Sequence, residues 1–189
     1  MPNAIDYSNW KEEKIDGKIH YMSPSANPRH SEIILNIATL FKAYLKGKKC
    51  KVFMDNIDIH LDETNNNYVV PDMSVLCDPS KFKSSGYHGV PSLIVEVLSP
   101  SNIKRDRVDK FNLYERFGVK EYWLVNYKAE SIEQYILSND SYQLYKAFTI
   151  LDEWDFNNRL TKIEQDAYTT IISPTIFDDL EVNIRDIFE

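Results

Sequence analysis

No apolar run in this 189-residue sequence approaches the roughly 20 residues that span a bilayer. The first residues, Met1 to Lys14, also lack the cationic start and apolar block of a secretory leader, which points to a cytoplasmic protein. Cysteine is scarce, with only Cys50 and Cys77. Without a leader or a cysteine-rich framework, reduced thiols are expected rather than a disulfide. Glycine is limited to five residues, and neither a glycine-rich phosphate loop nor a serine nucleophile elbow is present. His20, His60 and His88 show no spacing to each other or to cysteine that would suit zinc. Positive charge is also short: 22 Lys and Arg face 29 Asp and Glu, a net charge of −7. That balance argues against a constitutive clamp on nucleic acid, so any phosphate contact has to come from a local patch. It is compatible with an acidic metal site, which supplies negative charge of its own.

What is present describes a packed domain. Hydrophobic residues make up 43% and aromatics 13%, with twelve Tyr, which favours ordered sheet and helix over disorder. The length suits a single domain over 1–189. Lys14 to Met22 reads as a hairpin turned by Asp16-Gly17, with Ile15, Ile19 and Tyr21 alternating. A long helix follows, with Asn27 as its cap, Pro28 in its first turn, an apolar stripe of Ile34, Ile37, Phe41 and Tyr44, and Gly47 as its stop. Lys51 to Leu61 alternates as a strand, with Phe53, Ile57, Ile59 and Leu61 on one face. Across the polar loop Asp62 to Asn67 it pairs antiparallel with Tyr68 to Leu76.

Leu93 to Leu98 is apolar apart from Glu96 and suits a central strand covered on both faces. The turn Ser99 to Asn102 opens a second helix, from about Ile103 to Phe117, closed by Gly118. The strand Glu121 to Asn126 then completes a crossover that sets Glu96 and Trp123 on neighbouring parallel strands. Ser131 to Leu137 and Tyr142 to Phe148 form a hairpin, and Ile184 to Phe188 closes the chain as a short amphipathic piece. The order of elements is α+β: a mixed sheet flanked by helices.

Two acids stand out. Asp72 sits in Val69-Val70-Pro71-Asp72-Met73-Ser74-Val75-Leu76, where alternation puts it on one face with Val70, Ser74 and Leu76. Glu96 sits among five aliphatic residues. A carboxylate in such surroundings is costly unless it is paired, hydrogen-bonded or bound to a metal. Either acid alone is equally well explained by a structural ion pair. Two on adjacent strands resemble a hard-cation site, since Mg²⁺ is held by one or two carboxylates plus water and phosphate. On the second helix Asp106, Lys110 and Tyr114 recur every four residues on one face. Lys110 is placed to orient or deprotonate an attacking water, or to neutralise phosphate charge. An exposed Asp106–Lys110 pair is the alternative. Lys104, Arg105, Arg107 and Lys110 also form a basic cluster suited to a phosphate backbone. His30 opens the stripe of the first helix as a core or helix-end residue, and Glu32, on another face, is expected in solvent.

Pro71-Asp72, "LIVEVLSPS" from Leu93, the Asp106, Lys110 and Tyr114 series, and "GVKEYWLV" from Gly118 together resemble the Uma-type putative restriction endonuclease family of the PD-(D/E)XK nuclease superfamily. "IDGKIHYMSPSANPRH" from Ile15 resembles that family's N-terminal hairpin and helix start, and Val182 to Phe188 resembles its usual end. The resemblance implies a restriction-endonuclease-like core and hydrolysis of DNA phosphodiesters with Mg²⁺ or Mn²⁺. It implies that Asp72, Glu96 and the Val97 carbonyl hold the metal and that Lys110 takes the lysine role. The superfamily's usual lysine, two positions after the second acid, is replaced here by Leu98, so Lys110 has to act from the helix. For the first-helix acid of many superfamily members, His30 and Glu32 are the candidates. A homodimer is expected, because cutting both strands of a duplex needs two sites. The alternative is a non-catalytic nuclease-fold protein that binds DNA or a protein partner.

Overall fold

The computed structural model describes residues 10–22, 27–100 and 102–189; Ser101, in the predicted turn, lies outside them. The chain opens with β1 (Glu12–Ile15) and β2 (Lys18–Tyr21), a hairpin whose turn residues Asp16 and Gly17 both have positive φ, 50° and 75°. This is the twist that joins two strands through a two-residue turn, and it explains the Asp-Gly pair. Ile15 is buried as expected, but Ile19 and Tyr21 face solvent. Helix α1 (Pro28–Tyr44) starts where the Asn27 side chain accepts from Arg29 N, with proline in the first turn. It buries His30, Ile33, Ile34, Ile37, Ala38 and Phe41.

The next two predicted strands each break in two. Lys51 to Leu61 forms β3 (Lys51–Met54) and β4 (Ile59–His60), and Tyr68 to Leu76 forms β5 (Tyr68–Val69) and β6 (Met73–Leu76). The antiparallel pairing is as expected, β3 with β6 and β4 with β5, but the two pairs lie in different sheets. Pro71 lies in the second break, where a residue without an N–H cannot continue the ladder. After β7 (Phe82–Lys83) and β8 (Gly86–His88) comes the fully buried β9 (Leu93–Val97). The second helix opens as a wide π-helical segment, Arg105–Lys110, and tightens into α2 (Phe111–Phe117), ended by Gly118 at φ 82°. Then follow β10 (Glu121–Asn126), β11 (Ser131–Ser138) and β12 (Ser141–Thr149). The last residues form α3 (Glu153–Arg159), α4 (Lys162–Ala167), β13 (Ile171–Ile172), β14 (Val182–Asn183) and α5 (Arg185–Phe188).

The fold class is the expected mixed α+β, with a second large sheet in place of a single one. The larger layer runs β12-β11-β10-β9-β6-β3, with β9 and β10 parallel, and the second runs β2-β1-β5-β4-β8-β7. One face of the larger sheet (Met73, Val75, Leu93, Val95, Val97, Trp123 and Val125) packs on α1 and the C-terminal residues Ile184, Ile187 and Phe188. The other face (Leu76, Ile94, Leu98, Tyr122 and Leu124) packs on Leu113 and Tyr114 of α2 and on Ile15, Ile59 and Val69 of the smaller sheet.

The expectation of reduced thiols is overturned: Cys50 and Cys77 form a disulfide. Register explains it. Lys51 faces Leu76 in the β3–β6 ladder, so the next residue on each strand meets its opposite number, with Cα atoms 4.0 Å apart. Among the described residues no helix is long and apolar enough to cross a membrane.

Candidate active site

Two pieces of local structure build the site. The break Val70-Pro71-Asp72 carries the chain from the smaller sheet to the larger and leaves Asp72 at the mouth of β6, beside the C-terminal end of β9. Asp72 Oδ2 accepts from Val97 N at 2.7 Å and lies 3.3 Å from His30 Nε2. His30 Nε2 is also 2.9 Å from the Val97 carbonyl oxygen, which can only accept, so Nε2 carries a proton. Burial on its own would lower the His30 imidazole. The Asp72 carboxylate and the Val97 carbonyl outweigh burial and hold it above its ordinary value.

The second piece is the π-helical segment, which brings Asp106 and Lys110 to the face of the sheet that carries Glu96. Glu96, with 1% of its surface exposed, accepts at Oε1 from Lys110 Nζ and from the Tyr114 hydroxyl, each at 2.9 Å. Lys110 Nζ also lies 2.7 Å from Glu13 Oε1 and 3.9 Å from Asp106 Oδ1. Four acids therefore share this region with one buried lysine, and Arg105 Nε stands 3.8 Å from Glu13 Oε2. Burial disfavours a charged Lys110, yet Glu13, Glu96 and Asp106 together raise it above its ordinary value, so it keeps its proton. The surplus of acid raises the carboxyls. Burial pushes Glu96 well up against the pull of Lys110, with repulsion from Asp106, Asp72 and Glu13 adding to it. Asp106 is pushed up to about 7, first by burial, with Lys110 opposing and Asp72 adding repulsion.

The donor set suits a hard cation. Among the described residues neither buried oxygen of Asp106 has a hydrogen-bond partner, while the contacts to Asp72 fall on Oδ2 and those to Glu96 on Oε1. Among the described residues no three His, Cys, Asp or Glu side chains form a ready-made ligand set. Mg²⁺ and Mn²⁺ need less than that: one or two carboxylates, with water and phosphate filling the shell. The acids and the Val97 carbonyl fit such an ion.

The predicted residues meet here with some corrections. Asp106 and Lys110 are not a surface pair, because both are buried. Tyr114 is buried against Glu96, and His30 has moved from a generic core position to contact with Asp72. Glu32 is exposed and pairs with Arg29 at 2.7 Å. The basic cluster is divided, with Lys104 exposed and the other three engaged with acids. Lys110 is buried, Arg107 makes a bidentate pair with Glu133 at 2.9 and 2.8 Å, and Arg105 turns toward Glu13. Exposed lysines also gather at Lys42, Lys46, Lys48, Lys49 and Lys51, in the last turn of α1 and beyond it, at the far end from His30.

Sequence reasoning missed Glu13. It lies in a charged run, Lys11-Glu12-Glu13-Lys14, that reads as solvated, yet it stands two positions before the buried Ile15 and shares its face. That alternation was the available signal.

The model of the Uma2 family, described as "Putative restriction endonuclease", matches residues 1–167. The chain belongs to the Uma2 family. An uncharacterized protein of Synechocystis is 36% identical over 142 residues, covering 71% of this chain and 74% of that one. Another from the same organism is 28% identical over 128 residues, covering 66% and 71%. Among solved structures, one described as a putative nuclease belonging to DUF820, from Anabaena variabilis, superposes with a TM-score of 0.70 at 18% identity, covering 97% of this chain and 93% of that one. At that identity the likeness establishes the fold. In this Uma2 chain Leu98 packs in the apolar cluster with Ile94 and Leu113, and the lysine that meets Glu96 comes from the helix instead.

Proposed function

We propose that this Uma2 protein is a metal-dependent endonuclease that hydrolyses DNA phosphodiester bonds with Mg²⁺ or Mn²⁺, working in the cytoplasm as a homodimer whose two sites cut the two strands. The observation that carries this reading is the contact of Lys110 Nζ with Glu96 Oε1 at 2.9 Å, in a centre that also gathers Asp72 and the Val97 main chain. Asp72, Glu96 and the Val97 carbonyl would hold the ion, which when bound supplies positive charge to the scissile phosphate and acidifies a water.

The remaining chemistry falls to the chain's own side chains. Lys110 stays protonated, so it holds Glu96 in place and offsets negative charge near the phosphate, and does not act as a base. Asp106, pushed up to about 7 and with neither oxygen hydrogen-bonded among the described residues, is suited to take the proton of the attacking water. His30 fixes the Asp72 carboxylate and the Val97 carbonyl relative to each other. The test is cleavage of supercoiled plasmid with Mg²⁺ or Mn²⁺. Asp72→Ala and Glu96→Ala are each expected to abolish it, and cleavage at the wild-type rate by either variant overturns the assignment.

Two observations favour a second reading. Lys110 is enclosed on all sides, and the chain carries a net charge of −7, which suits a nuclease-fold protein that binds DNA or a protein without cutting. Calorimetry with Mn²⁺ separates the two: heat of binding by wild type that is lost in Asp72→Ala supports the nuclease, and no binding by wild type supports the second reading.

A further inference from the structure

We propose that Glu13 is the positioning residue for Lys110, so that the N-terminal hairpin is a working part of the centre; this rests on the endonuclease reading. Glu13 is fully buried in β1; its Oε1 makes two short contacts, and its Oε2 lies 3.8 Å from Arg105 Nε. Oε1 lies 2.7 Å from Lys110 Nζ, shorter than the 2.9 Å from that ammonium to Glu96. The same oxygen accepts from Val70 N at 3.0 Å, two residues before Asp72. Glu13 thus joins the lysine of the π-helical segment to the strand break that presents Asp72.

A lysine ammonium rides on a flexible four-carbon stem and has no preferred direction of its own. Without Glu13 its one short contact would be with Glu96, since Asp106 Oδ1 stands at 3.9 Å, and it could follow that side chain as Glu96 turned. Held between Glu13 and Glu96, Nζ is pinned from two sides. The second anchor is itself tied to the sheet: β1 pairs with β5 through Lys14 and Tyr68, and Asp16 N donates to Asn67 Oδ1 at 2.8 Å. The hairpin is therefore fastened to the strand that leads into Val70-Pro71-Asp72, and the lysine and Asp72 share one reference frame. Displacements of about 1 Å in such an arrangement cost rate while leaving substrate binding intact.

Glu13→Gln tests this, since the amide keeps an oxygen for Val70 N and removes the charge facing Lys110. The variant is expected to lose about tenfold or more in kcat for plasmid cleavage, with KM for DNA within about twofold of wild type. Adding Lys110→Met to it should cause no further loss beyond Lys110→Met alone, as for residues acting through one another. A readout free of turnover accompanies these. In metal-free protein the buried Lys110 ammonium is expected to give a slowly exchanging NMR signal, which Glu13→Gln should broaden or remove. A folded Glu13→Gln with wild-type kcat and an unchanged Lys110 signal overturns the proposal. Should Glu13→Gln fail to fold, Glu13→Asp keeps the charge at shorter reach; a smaller fall in kcat at constant KM supports the proposal, and wild-type kcat refutes it. If wild-type protein cleaves no DNA, the endonuclease reading falls, and the Lys110 signal alone decides for or against Glu13.

Discussion

Lys110 Nζ lies 2.9 Å from Glu96 Oε1, and both side chains are sealed from water, with 2% and 1% of their surface exposed. A pair in that setting is stable only as a pair. Replacing Lys110 by Met leaves Glu96 without its cation and Glu13 with Arg105 at 3.8 Å alone, and removing one partner of a buried ion pair costs about 3–5 kcal/mol. Urea unfolding at pH 7 is expected to show a loss of that size. The loss should shrink at acid pH, where the carboxyls are neutral.

Asp106 gives the molecule a pH signature. Its carboxyl is pushed from 3.8 to about 7 in the folded chain, chiefly by burial. Between those values the folded state keeps a proton that the unfolded chain has released. Stability therefore falls as pH rises through this window and levels off above it. Unfolding measured in chelator from pH 4 to 8 should show that fall in wild type, and Asp106→Asn, which has no proton to lose, should lack this component. Parallel pH curves for the two proteins would contradict the prediction.

The Cys50–Cys77 bridge closes a loop with a sequence separation of 27. The chain-entropy argument gives about 3–4 kcal/mol for a loop of that length. Thermal unfolding of the Cys50→Ser, Cys77→Ser double variant should reveal a drop near that figure, and reductant should shift wild type toward the variant while leaving the variant unmoved.

Glu121 ties the last part of the chain to the larger sheet. It is fully buried and accepts from Trp123 Nε1 at 2.6 Å, Gln134 Nε2 at 2.7 Å, Thr175 N at 2.6 Å and Thr175 Oγ1 at 2.7 Å. Glu121→Ala orphans these donors and should destabilise the protein by more than about 2 kcal/mol. Hydrogen exchange should rise first at residues 171–188, and uniform acceleration across the whole chain would argue against a local tie.

Much of the fold was legible because side-chain periodicity reports which face is buried. The stripe Ile34, Ile37 and Phe41 identified α1, and the aliphatic run around Glu96 identified the central strand. Periodicity is silent on which sheet a strand joins. Alternation continues across Val70-Pro71-Asp72, so the split into two sheets was invisible even though Pro71 marks the place. The site was legible where acids interrupt apolar sequence, at Asp72 and Glu96, and hidden where an acid sits among charges, at Glu13. The partners of Arg107 were beyond reach because Glu133 comes from a strand 26 residues away. The disulfide needed the register of Lys51 against Leu76, which spacing alone does not supply.

The bridge also changes what a cut in the chain would do. Glu63, Thr64, Asn65 and Asn66 are exposed and lie inside the ring that Cys50 and Cys77 close, as does Asp72. A protease that nicks this loop leaves the two fragments covalently linked, with Glu13 and α1 on one and Asp72, Glu96 and Lys110 on the other. The nicked chain would migrate as one piece until a reductant separates it into two.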